Sequence, residues 1–441
     1  MSEAAVLEPS VLKMLAHRYG AALKHAQYRR FWVSATVAGA GVWGLIVARA
    51  ALAFRVSDDS AAAVGLVTFA AMIPFVLIPP FSGVLADKFD RRYLVAGAHF
   101  TNVFFALALA WLYFYADVAL WHLVTLSLLS GISRGVQMPA SSALVPNLVP
   151  REDLLNAIAL NNVSLQGSRL LGGVLVGVFL GTTWGIGGAF LLAVGMYILA
   201  AIAVLTITTP STGEMQKGAG VWEVMTAGVV YAYRNKPVGL MLLLVALHCG
   251  LTMAFESVYP THATEALGQD ATAFALIIAF FGAGAVLGVV TIAGIRDDRT
   301  KGRALLISAV GSSIAVVLMA YSTNIGLGLA AAFITGLFQA PFMSLSIAFI
   351  QEIVPDAIRG RVSSLFTMGA LSLMAFANLG YGWLVDLYGS VAVLAAPSAV
   401  FFAILLLALL FIGTLRKILL EGFSAVTPQL AATPAPSGGS K

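Results

Sequence analysis

Four charged side chains fall inside otherwise apolar stretches: Arg49, Arg134, Arg169 and Glu256. A charge at the centre of a membrane-spanning helix costs about 2.5–3.5 kcal/mol on insertion scales, so it faces a protein interior or water and marks a functional site by default. Ser127, Ser130, Arg134, Gln137 and Ser141 recur three and four residues apart, which draws one polar stripe along a helix. Asn162, Gln166 and Arg169 draw a second. The two stripes predict a cationic wall that meets a substrate through Arg134, Gln137, Arg169, Gln166 and Asn162. The competing reading makes each arginine a structural tie to helix-end carbonyls.

His248, Thr252, Glu256 and Tyr259 follow at spacings of four, four and three. Glu256 is the one carboxylate clearly inside an apolar span, which makes it the candidate for proton coupling. His248 is a candidate relay, because an unperturbed imidazole titrates near 6.5. Its other reading is a hydrogen-bonded packing residue. Displaced by 205 residues, Glu256 falls on Ala51, close to the depth of Arg49. Arg49 and Glu256 are therefore expected to pair across an outer gate that protonation of Glu256 loosens. Alternatively, Arg49 snorkels toward the interface. Three internal cations against one carboxylate predict an anionic or polyphenolic small molecule as cargo.

The elements that must hold these residues follow from composition. Of 441 residues, 60% are hydrophobic and only 10% charged, with a mean hydropathy of +0.93. Soluble domains carry about a quarter charged residues, so this is an all-α chain spanning a lipid bilayer. Twelve apolar spans are predicted, at 31–54, 62–86, 93–115, 120–145, 156–180, 186–207, 237–260, 271–295, 303–322, 325–350, 361–385 and 391–415. Each reaches the roughly 20 residues that one crossing needs. With the N-terminus inside, 21 of the 25 Lys and Arg fall in cytoplasmic segments, as the positive-inside rule requires. That placement explains a sequence pI near 9.3 without nucleic acid and puts both termini in the cytoplasm. One cysteine, Cys249, rules out a disulfide framework or a cysteine-ligated cluster, and no cofactor is expected.

The organisation expected is a cytoplasmic amphipathic segment over 1–30, a six-helix half over 31–207 and a linker over 208–236. A second six-helix half over 237–415 and a largely disordered tail over 416–441 complete it. The amphipathic segment, centred on 11–31, is expected to lie on the membrane surface. A second amphipathic stretch surrounds Trp222, Met225, Val229 and Tyr233 in the linker. The 205-residue offset also sets the run 143–150 on 348–355, Gly131 on Gly336 and Gly83 on Gly288. Two parallel pseudo-symmetric halves around an axis along the membrane normal are the plan of a secondary transporter, with its site between them near the midplane.

After span 2 comes Gly83-Val-Leu-Ala-Asp87-Lys-Phe-Asp-Arg91-Arg92, with a weaker copy at 294–303. The run resembles the helix 2–3 signature of the major facilitator superfamily. That resemblance implies a cytoplasmic gate in which Gly83 lets helices approach while Asp87 and Arg91 latch. Asp90 stands where many members carry glycine. The run 139–157, with Arg169-Leu-Leu-Gly172 and the stretch 354–364, resembles the enterobactin-exporter-like branch, the transmembrane secretion effectors. The branch implies proton-coupled efflux of siderophores, macrolides or other amphiphiles from the cell membrane, by a carrier expected to be a monomer. Arg134-Gly-Val-Gln137 is similar to the superfamily's helix-4 motif, to which substrate or proton contact is attributed. The proline of the antiporter helix-5 motif is missing from Gly172-Gly173-Val-Leu-Val-Gly177. The glycine pairs Gly173/Gly177, Gly131/Gly135 and Gly284/Gly288 read as helix-packing seams.

The leading expectation is export of an anionic, siderophore-like amphiphile in exchange for protons. Drug or macrolide efflux, a lysophospholipid flippase and a non-transporting membrane sensor stay open. An enzyme is disfavoured, because no metalloprotease, serine-hydrolase or phosphate-loop motif occurs in the chain.

Overall fold

The computed structural model describes residues 20–78, 82, 85, 88–211, 221–270 and 273–426; the side chains of 155, 221–225 and 357 are not described. Among the described residues every regular element is helical, the state in which a segment in hydrocarbon satisfies its own backbone. The first half holds α1 (Ala26–Val56), α2 (Ala61–Met72), the short α3 (Pro74–Leu77), α4 (Arg91–Tyr115), α5 (Leu120–Leu144), α6 (Leu154–Leu180) and α7 (Gly185–Leu205). After α8 (Val221–Arg234), the second half holds α9 (Lys236–His248), α10 (Tyr259–Glu265), α11 (Ala273–Ile292) and α12 (Asp298–Ala320). Then come α13 (Ile325–Ile353), α14 (Asp356–Tyr388), α15 (Ser390–Phe411) and α16 (Gly413–Glu421).

Ten described helices are long and apolar enough to cross a membrane. Two of the twelve predicted spans are not among them. Helix α5 has the length, 25 residues, but its serines, Arg134 and Gln137 dilute its hydropathy. The second predicted span is a shorter apolar helical stretch over Ala61–Leu77 as far as it is described.

The sequence repeat is also a packing repeat. In the first half α1 packs on α6 and α7, α4 on α5 and α7, and α2 on α5. In the second half α9 packs on α14, α12 on α13 and α15, and α11 on α13. The halves meet along two seams, α6 with α11 and α2 with α14. At the first seam a Cβ on Gly173 would fall 2.7 Å from both the Ala275 carbonyl and the Ala279 nitrogen, so only glycine admits this approach. The Gly131/Gly135 pair seats α5 against α2 and α3, and Gly284/Gly288 seats α11 against α13. Each is packing, as the sequence suggested. The closest glycine approaches of both seams, Gly173 with Ala275 and Gly382 with Ala61, lie toward the far end of the bundle, opposite the end where α1 begins.

Four segments differ from expectation. The amphipathic stretch at 11–19 lies outside the described residues, but its continuation does not lie on a surface. Ala22 is buried with its amide on Asn156 Oδ1 at 2.8 Å, and α1 already starts at Ala26. Tyr28 is buried and donates to the Ala157 carbonyl at 2.7 Å, so this turn packs on α6 instead. The expected tail begins with structure: Leu415, Ile418 and Leu419 form one buried face of α16 against α12, and 427–441 lie outside the described residues. Asp298 accepts hydrogen bonds from the amide and hydroxyl of Ser424 and holds the turn beyond it. In the linker, α8 turns Gly228 toward α14 and buries Tyr231, while Val229 and Tyr233 are exposed. Asp90 needs no glycine-like backbone, since its φ is −62° and its carboxylate caps α4 at the Arg92 amide.

Candidate functional site

Span 7 was expected to be one helix with His248, Thr252, Glu256 and Tyr259 on one face. Instead α9 ends at His248, a π turn runs over Cys249–Met253, and residues 254–258 leave the helix before α10. Pro260 sits in the first turn of α10, where its missing amide costs nothing. The break frees backbone groups inside the bundle, and three side chains take them up. Gln339 Nε2 donates to the Thr252 carbonyl at 2.6 Å, and Tyr381 Oη donates to the Gly250 carbonyl at 2.8 Å. The Ser257 amide donates to Asn378 Oδ1 at 3.1 Å. An irregular backbone at membrane depth survives where protein partners of this kind replace water.

The break carries Glu256, only 5% exposed, into a cavity of about 30 Å³ that Arg49, Arg134, Thr68 and Met72 also line. Arg49, 3% exposed, is braced by its own helix and by α5: Nε donates to the Leu45 carbonyl and Nη1 to Ser127 Oγ, each at 3.2 Å. The Arg134 guanidinium stands 4.9 Å over the Phe75 ring. Arg169 lies outside that lining, between Trp43 on α1 and Phe281 on α11, 4.2 and 4.7 Å from the ring centres. Among the described residues no protein acceptor takes a hydrogen bond from Arg134 or Arg169, and no donor reaches the Glu256 carboxylate. All three arginines attract Glu256 through space, without a direct ion pair. The arrangement is a small chamber lined by two guanidinium groups, of which Arg49 is committed to Leu45 and Ser127 while Arg134 has no protein acceptor among the described residues. A volume near 30 Å³ holds about one or two waters, so the chamber is contracted around its own charges.

The other predicted residues occupy distinct places. Gln137 and Gln166 are half-buried and Asn162 is exposed, all outside the chamber lining. His248 is buried in the second half, with Nε2 2.8 Å from Ser312 Oγ and its ring stacked 3.9 Å from that of Phe342. The structure does not bring it to Glu256. Gly83 and Asp87 lie outside the described residues. Arg91 is engaged within its own half: its amide donates to the Ser211 carbonyl at 2.9 Å and Nη1 to the Ala143 carbonyl at 3.0 Å. Beside it, burial pushes the Asp90 carboxyl up, but the hydrogen bonds and charge of Arg92 outweigh this and hold it below the usual carboxylate range.

Sequence reasoning missed Gln339, Asn378 and Tyr381, as well as the aromatic shelves Trp43, Phe75 and Phe281. One signal was available: at the 205-residue offset Gln339 is the counterpart of Arg134. Nothing local marks the other five.

The family model of the transmembrane secretion effectors matches residues 19–423. Macrolide efflux protein A of Enterococcus faecalis is 23% identical over 299 residues, which cover 66% of this chain and 92% of that protein. Enterobactin exporter EntS of Escherichia coli is 25% identical over 358 residues, 80% of this chain and 82% of that protein. Among solved structures, the nucleoside transporter NupG superposes with a TM-score of 0.69 at 12% identity, covering 86% of this chain and 98% of that one. A POT family transporter in complex with 5-aminolevulinic acid gives 0.70 at 13% identity, covering 88% and 97%. At such identities the two structures speak to the fold alone.

Proposed function

Since the chain belongs to the transmembrane secretion effector family of major facilitator transporters, we propose that it exports a small anionic amphiphile by alternating access. It is a multi-pass membrane transporter with efflux relatives, and not an enzyme. The reading rests on one observation: Arg49 and Arg134 share a cavity with a single carboxylate that Arg169 attracts from outside its lining, and Arg134 and Arg169 have no protein acceptor among the described residues. Guanidinium groups in a low-dielectric site bind carboxylate-like and catecholate-like oxygens strongly. The stripe Asn162, Gln166 and Arg169 on α6 offers a polar path from the terminal end of the bundle toward the chamber. The distribution of basic residues supports a cytoplasmic location for that end, in the cell membrane. The contacts between the halves at the far end then support a carrier closed to the outside.

Glu256 carries the proton, and the sign of its effect constrains the coupling. Protonating it removes the one charge that competes with an anion for the arginines, so proton and anion reinforce each other. Exchange for protons, expected from the sequence, follows from this site only for a cargo that competes with the proton for Glu256. A cationic macrolide does so, and the macrolide efflux relative makes this the second reading. An anion that leaves with no net proton movement, Glu256 staying protonated through the cycle, is driven out instead by an inside-negative potential, worth about 2.3 kcal/mol per charge at 100 mV. His248 is a packing residue in this scheme.

Thermal-shift binding to the purified carrier separates the two. Catecholates and lysophospholipids should stabilise it, more strongly as pH falls, and Arg134→Ala should abolish the effect. Stabilisation by macrolides or lipophilic cations that weakens as pH falls and ignores Arg134 would overturn the anion reading in favour of the second.

A further inference from the structure

Beyond the chamber, the α2–α14 seam holds a carboxylate that the transport reading does not use. Asp386 lies in the last turn of α14 and accepts three hydrogen bonds from the start of α2 in the opposite half. The donors are Ser60 Oγ at 2.8 Å, the Ala61 amide at 2.8 Å and the Ala62 amide at 3.1 Å. Ser60 in turn caps α2 through the Ala63 amide. The open amides of the first turn are thus shared between a side chain of α2's own half and one from the other half.

The position makes sense only across the seam. A negative charge in the last turn of a helix opposes that helix's dipole, whereas the same charge at an N-terminus is favoured. On α14 alone Asp386 is misplaced; against α2 it completes a cap. Two glycines permit the approach. A Cβ on Gly382 would fall 2.5 Å from the Ala61 carbonyl, and one on Gly65 would fall 2.7 Å from the Asn378 carbonyl. Further along, Phe69 and Phe376 pack with ring centres 5.2 Å apart. The seam is built for backbone contact with one charged clasp at its tip. In its pseudo-symmetric partner, α6 with α11, the 205-residue offset sets Asp386 on Gly181, so that position carries no carboxylate. The same α14 also carries Asn378 and Tyr381, which hold the broken segment bearing Glu256. Eight residues, about 12 Å of helix, separate Asn378 from Asp386.

We propose that Asp386 is the latch of the outer gate: its carboxylate caps α2 across the two halves and holds the far end shut, and the far end opens only when that cap is given up. In the open state Asp386 faces its own helix C-terminus unpaired and α2 loses an acceptor, so the latch biases the carrier toward the outward-closed state. Because α14 is one rigid helix, rearrangement of the Glu256 segment is transmitted directly to the latch. The proposal rests on the alternating-access reading.

The test labels a cysteine at Thr68, which lines the chamber, with a membrane-impermeant maleimide applied to the outside of intact cells. The background is Cys249→Ser carrying Thr68→Cys. Asp386→Ala should raise the labelling rate several-fold, and Asp386→Asn, which keeps an acceptor without the charge, should raise it less. Asp386→Asn preserves the shape of the site and guards against a folding defect in the alanine variant. A wedge, Gly382→Trp, forces the same seam apart independently. Opening by the wedge but by neither Asp386 variant would overturn the latch and leave alternating access standing. Labelling unmoved by all three would overturn both.

Discussion

Arg169 shows how much of a buried cation's role its neighbours decide. Its guanidinium carbon stands 4.2 Å from the centre of the Trp43 indole and 4.7 Å from that of the Phe281 ring, so two aromatic faces hold it. Lysine keeps the charge but cannot stack as a plane or present a fork. Arg169→Lys should weaken anion binding by about tenfold, the equivalent of the roughly 1–2 kcal/mol of a desolvated cation–π contact. Isothermal titration with the best ligand of the panel checks this, and full rescue by lysine would show that charge alone matters. Glu256→Gln imitates the protonated carboxyl. It should bind an anion at neutral pH as tightly as the native carrier does in acid, with a flat profile between. A pH dependence that persists in the glutamine variant would place the proton on another group.

At the scale of elements, the broken seventh span is the decisive feature. An unbroken helix would keep its amides and carbonyls to itself; this one gives three of them to Gln339, Asn378 and Tyr381. Asn378 is fully buried, and its loss leaves the Ser257 amide with no acceptor. Asn378→Ala should destabilise the carrier by about 1–3 kcal/mol, read as a lower Tm in detergent. It should also change the ligand-induced shift, because Glu256 is no longer held in register. Unchanged ligand response at lowered stability would reduce Asn378 to a packing role. The sequence pattern concealed this break, since a spacing of four, four and three is what an intact helix would produce. Pro260 was the visible hint, but a proline in a first turn is equally at home at the start of a new helix.

The whole molecule is two halves joined at the far end by backbone-to-backbone seams. Motion between them must separate α2 from α14, where a Cβ on Gly382 would stand 3.0 Å from the Ala62 Cα. Cysteines introduced by Ala62→Cys and Gly382→Cys, with Cys249→Ser, should cross-link on oxidation and stop transport, with recovery on reduction. Transport that continues through the cross-link would mean that the halves need not part there. At the terminal end each half instead clasps the chain that leaves it. Arg91 and Arg92 hold the backbone at Ser211 and Ile207, and Asp298 holds Ser424. The hydrogen bonds of these clasps join each half to the segment that follows it in the chain.

Local chemistry wrote much of this into the sequence. Hydropathy located the ten described helices long and apolar enough to cross a membrane, because the bilayer demands apolar segments of fixed length, and the 205-residue offset showed which elements of the two halves correspond. The four intramembrane charges were legible for the same reason, as nothing else in those stretches resists hydrocarbon. Only the tertiary structure decided how each helix is rotated about its own axis. That rotation brings Arg49, Arg134 and Glu256 to one chamber, leaves His248 with Ser312, and hands Asp386 to a helix more than 300 residues away in sequence. Periodicity shows which residues share a face; what the face meets depends on contacts between halves that no local spacing encodes.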